Sequence, residues 1–314
     1  MRIISVGHSG LECMTERQAR GGGDMDMVKS DEFIHKVHSF CTDCIQAIAP
    51  QYLKIKDALS DNSFANAVGP LMTSLDLTTD DVFFLLENKR LWDVPILVRS
   101  ILDGSAQCMY LLSASSQEDE DKRLNEYLHV LPKKEWASLE QPLRNMKKGI
   151  SGCEDEDVLV DVLQQTVQRE KTKHGEGAAI KEVSRRWSFW ELSRALRREC
   201  PQWAASADLF EFRYATGNFM VHKNGIGCQQ ILEEAHQIST YYNSSLIAYA
   251  APILISIAIL MYDRLLLFAT RFNLDCRPLH SVMESNVDIF INAIAVEDSA
   301  KKVVRKQKEE GRFG

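Results

Sequence analysis

Apolar residues recur at three- and four-residue spacing through long stretches of this chain, which is the mark of one buried helix face. From Ser30 the series Ile34, Val37, Phe40, Cys41, Cys44, Ile45 and Ile48 predicts a first helix, with Pro50 interrupting it. Asp61-Asn62-Ser63 reads as a loop. A second helix is expected from Thr79 to about Asn88, capped by Thr78 or Thr79 with Asp80-Asp81 in its first turn. A third runs from about Asp93 to Leu112 and accepts Pro95 in its first turn. "QEDEDKR", residues 117–123, opens a helix that ends near Leu131-Pro132. "CEDEDVLVDVLQQTVQREK" has acids first and bases last, as the helix dipole prefers. "HGEGAA" reads as a loop, and "SRRWSFWELSRALRREC" as one basic helix closed by Pro201. The next helix carries "FRYATGNFMVHKNGIG", residues 212–227, and ends at Gly225 and Gly227.

The longest apolar run is "SSLIAYAAPILISIAILMYDRLLLFATRF". No formally charged residue occurs from Gln237 to Tyr262, which is long enough to cross a bilayer. Pro252, the Ser and Ala residues and the lack of a basic cluster on either flank favour a buried central helix over a membrane span. Nothing reads as strand-rich, and no internal repeat is visible. The expected fold is all-α: a multi-helix bundle with a long apolar central helix. Residues 29–295 are expected to form the bundle, with 130–200 as a peripheral helical segment. Residues 296–314 read as a charged C-terminal helix or tail. Residues 1–28 lack periodicity and carry a Gly-Gly-Gly run, so they are expected to be a disordered or non-native extension before a native start at Met25 or Met27.

Composition changes this picture little. With 314 residues, 45% hydrophobic and 26% charged, the chain has enough material for one large core. A net charge of −7 gives no global attraction to phosphate, so a nucleic-acid role must rest on local basic patches. Eight cysteines with no visible signal peptide predict reduced thiols and a cytoplasmic setting.

Four clusters invite chemistry. "HKVHSFCTDC" spaces His35, His38, Cys41 and Cys44 by threes. On a helix its ends lie ~13.5 Å apart and each step turns the side chain by about 60°, so one tetrahedral site cannot collect all four. No metal and no cofactor is therefore expected. In "LVRSILDG", Arg99 and Asp103 share a helix face, either as a structural ion pair or with Asp103 aiming Arg99 into a cleft. In the 212–227 stretch, Asn218 and His222 share a face, while Arg213 points away and Glu211 is better placed to meet them. His222 is either a helix-end cap or a proton-transfer group. On the basic helix, Arg185, Arg186, Arg194, Arg197 and Arg198 lie beside Trp187 and Trp190. That set either binds RNA or solvates the outside of a Trp-anchored stripe.

The pairing of "LLENKRLWDVPILVRSILDGSAQCMYLL" with "FRYATGNFMVH" resembles the bacterial proteins of domain-of-unknown-function family 5677, over roughly residues 30–290. That resemblance implies an all-helical fold and marks Arg99, Asp103, Tyr214, Thr216-Gly217 and His222. The second stretch is also similar, more distantly, to the HEPN ribonuclease motif, in which an Arg precedes a His by four to six residues. Asn218 and His222 are in place, but Gly217 stands at the Arg position, so the guanidinium would have to come from Arg99. The implied chemistry is metal-free RNA cleavage in a defence or toxin–antitoxin setting such as phage defence. The catalytic residues would be Arg99, Asp103, Asn218 and His222, with Tyr214, Arg185, Arg186 and Arg194 binding substrate. The other readings are a non-catalytic helical module for a partner protein, a second copy or a nucleotide, and a membrane-associated protein using residues 246–262.

Overall fold

The computed structural model describes residues 30–57, 59, 61–88, 90, 93–132, 161–162, 165, 177–221, 250–291 and 293; the side chains of 30–31, 177–179 and 218–221 are outside that description. Among the described residues 88% are helical and none is in a strand, so the fold is an all-α bundle.

Helix α1 spans Ser30–Ile55 and runs straight through Pro50. The expected interruption does not occur, because Pro50 and Gln46, whose carbonyl loses its partner, both lie on the exposed side. Water can satisfy that carbonyl. The next residue, Gln51, exchanges two amide hydrogen bonds with the backbone of Asp275, at 2.9 and 2.7 Å. Helix α2 spans Ser63–Glu87, far longer than the expected Thr79–Asn88. Its true cap is Asn62, whose side chain accepts from the Ala65 N–H at 2.9 Å. Thr79 lies mid-helix, buried, with its hydroxyl donating to the Leu75 carbonyl.

Helix α3, Val94–Leu112, matches the sequence expectation and is the hub of the bundle. It packs against α2, against α6 (Phe189–Glu199) and against α7 (Pro201–Val221). Its facing residues Val98, Ile101, Leu102, Cys108 and Met109 are buried. Gly104 permits the close approach of α2: a Cβ there would lie 2.7 Å from Leu75 Cδ2. Helix α7 runs antiparallel to α3, with Glu199 just before α7 reaching Arg123 beside Tyr110, and Gly217 against Pro95.

Helix α4, Gln117–Asn125, is polar except for Leu124 and continues as a π-turn, Glu126–Val130. Beside Leu124, Tyr127 and Val130, which pack on the core, it docks through buried charges. Buried Glu120 pairs with Arg271, buried Arg123 with Asp119 and Glu199, and buried Glu126 with Arg186 and the Trp187 indole N–H. Helix α5, Gly177–Arg186, already begins inside the stretch read as a loop. The expected single basic helix is two, α5 and α6, because Ser188 is extended at the start of α6 while Glu126 takes the Trp187 indole N–H. Phe189, Leu192 and Leu196 of α6 belong to the core.

Helix α8, Ala250–Arg271, is the long apolar element, with Pro252 in its first turn. Its length and composition would suit a membrane span, but 67% of its most apolar window is buried within the chain's own bundle. It also carries two buried charged residues, Asp263 and Arg264. Helix α9, Arg277–Ser285, returns along α1.

Candidate functional site

Arg99 lies on α3 where the last turns of α7 cross it. Its guanidinium carbon stands 5.2 Å from the centre of the Tyr214 ring. Its Nε is buried and has no hydrogen-bond partner. Asp103, one turn along, is close enough to act on Arg99 through its field, but no ion pair at contact distance joins them. Burial pushes the Asp103 carboxyl above its ordinary value, and the Arg99 charge opposes that rise. The two residues thus share a face, as the spacing predicts, without closing into a simple salt bridge.

Gly217 makes this geometry possible. A Cβ at 217 would meet Arg99 Cβ at 2.8 Å and the Pro95 carbonyl oxygen at 2.8 Å. A backbone oxygen cannot swing aside as a side chain can. Gly217→Ala is expected to push α7 off α3 and cost about 1–3 kcal/mol, the range for overpacking a close contact. Urea unfolding of the variant checks it.

Tyr214 is clamped on both faces. Phe189 stacks on one at 3.8 Å and 7°, Arg99 covers the other, and Trp190 stands at 85° to it, 5.8 Å away. Asn218 follows Gly217 within α7, but its side chain lies outside the described residues, as does all of His222. Glu211, expected near that pair, is engaged by α6: Ser193 donates to it at 2.7 Å and Arg197 at 3.1 Å.

The basic residues divide. Arg186 is bound to Glu126, and Arg194 donates to Glu191 at 2.7 Å on the surface. Arg185 is exposed on α5. The Arg99–Tyr214 contact does not include them.

The His/Cys series on α1 diverges. His35 faces Glu87 at 3.4 Å, and His38 faces Asp80 at 3.4 Å while stacking on Phe83. Cys41 and Cys44 turn inward, where burial pushes the Cys44 thiol up to about 12 and Cys41 further. Such thiols stay protonated.

One buried group escaped the sequence reading. Arg264 is 1% exposed; it donates to Ser105 Oγ of α3 at 2.7 Å and to Asp76 of α2 at 3.3 Å. The available signal was the lone "DR" pair inside the apolar run. Its partners are 159 and 188 residues away, and nothing in local spacing points to them.

The molecule is therefore a helical bundle with a guanidinium set at an α3–α7 seam. No family model matches the chain, and neither does any curated protein or solved structure.

Proposed function

We propose that the α3–α7 seam is a phosphate-directed site that cleaves RNA without a metal. The observation that carries this reading is Arg99: a guanidinium held on the Tyr214 ring, with a buried Nε left without an acceptor. A buried unpaired donor is costly unless a ligand completes it. Gly217 supports the same reading, since the Arg position of the resembled motif is sterically closed and Arg99 fills that space from the neighbouring helix.

In the proposed reaction the ribose 2′-oxygen attacks the adjacent phosphorus and the bond to the 5′-oxygen breaks. The products are a 2′,3′-cyclic phosphate and a 5′-hydroxyl. His222 takes the proton from the 2′-hydroxyl, and a proton returns to the departing 5′-oxygen. Arg99 stabilises the charge that builds on the non-bridging oxygens, and Asp103 orients Arg99. Asn218 is proposed as a further residue of the same site. The setting is cytoplasmic.

The test is cleavage of RNA by purified protein in EDTA, comparing wild type with Arg99→Ala and His222→Ala. Wild type is expected to cut, and each folded variant to lose at least about 100-fold, the scale for losing an electrostatic or proton-transfer group. Equal cutting by all three, or by none, sinks the proposal.

A further inference from the structure

Trp190 is a large aromatic left 44% exposed beside this seam. Its neighbours fix its stance. Phe189 and Arg99 occupy the two faces of Tyr214, so Trp190, at 85° to that ring, meets it at the edge. It meets Phe189 in the same way, at 78° and 5.6 Å. The indole therefore stands across the edge of the Phe189–Tyr214 stack, with much of its surface exposed. The Tyr214 ring links the indole to the Arg99 guanidinium: Trp190 stands at its edge, 5.8 Å away between centres, and the guanidinium carbon lies over it, 5.2 Å from its centre. An exposed flat surface and a cation gathered on one ring suit a nucleotide's base and a neighbouring phosphate.

We infer that the exposed indole of Trp190 stacks an unpaired nucleobase next to the phosphate held by Arg99, so that the substrate is single-stranded. The inference rests on the phosphate-directed reading of the seam and adds the substrate class. Base pairs in a duplex are already stacked on both faces, and only an unpaired base can be turned onto a protein ring. The Phe189–Tyr214 stack holds the indole from behind, so little ordering is needed on binding.

The experiment uses the full chain and a labelled, fully 2′-O-methylated twelve-nucleotide RNA, which blocks cleavage, as a single strand and as a blunt duplex. Anisotropy titrations compare wild type, Trp190→Ala, Trp190→Phe and Arg99→Ala. Trp190→Ala is expected to weaken single-strand binding about tenfold, within the range for one stacked base, and to leave duplex binding unchanged. Trp190→Phe retains most of the affinity, and single-strand addition quenches an emission component that this variant lacks. If Trp190→Ala binds the single strand as wild type does while Arg99→Ala does not, stacking is overturned and the phosphate reading stands. If neither substitution matters, both fall.

Discussion

Replacing Arg264 with alanine is expected to remove about 3–5 kcal/mol of folding stability, the cost of breaking a buried charge pair by deleting one partner. Arg264 is buried on α8 and donates to Ser105 on α3 and Asp76 on α2. Its loss leaves Asp76 in a site whose burial already pushes the carboxyl up and whose main compensation is the Arg264 charge. The serine hydroxyl loses its partner as well, and the side-chain volume is vacated. Arg264→Met restores much of that volume but none of the charge, and should fall between the two. Urea unfolding with matched m-values reads all three. An alanine variant within about 0.5 kcal/mol of wild type, the ordinary range for surface substitutions, would mean that the network contributes nothing.

The second large effect is a dependence on pH from the adjacent residue. Asp263 is buried, and burial alone pushes its carboxyl from 3.8 up to about 7. In the unfolded chain it ionises near its ordinary value. Between those two pH values the native state holds a proton that the unfolded state has released. Stability is therefore fully present at low pH and falls as pH rises toward 7, then flattens. At 1.36 kcal/mol per pH unit the contribution is on the order of 4 kcal/mol. Asp76 and Asp103 are also raised by burial and add the same sign. The difference between wild type and Asp263→Asn in urea unfolding at pH 5 and pH 8 isolates the residue. The asparagine variant lacks this titration, so it should lose less stability than wild type between pH 5 and pH 8, and its pH profile is the flatter one. Parallel profiles would overturn the assignment.

The sequence was most readable where local chemistry decides. Asp93 and Pro95 mark the start of α3, and its apolar spacing carries it to Leu112. Proline misled the reading because it was judged by type rather than by side. At Pro50 the carbonyl that loses its bond faces water, and Pro70 likewise sits exposed within α2. Neither fact is visible before the core is known. Trp187 shows the opposite failure. Nothing around "SRRWSFW" marks a break, yet the indole N–H reaches Glu126, 61 residues earlier in the chain, and the helix parts there. At the candidate site, spacing put Arg99 and Asp103 on one face. The meeting of Arg99 with Tyr214 and Gly217 depends on how α7 crosses α3, which no local pattern encodes. Asn218 rests on its place in α7 alone, and His222 lies outside the described residues.

Gly217 has a mechanical consequence. The seam has room for a single side chain between two backbones, and the occupant is rooted in α3 rather than near the end of α7. Helix ends fray, whereas α3 is braced on three sides by α2, α6 and α7. A guanidinium mounted there is rooted within a helix rather than at a helix end. The bundle thus mounts the seam's cation on the helix that its neighbours hold in place.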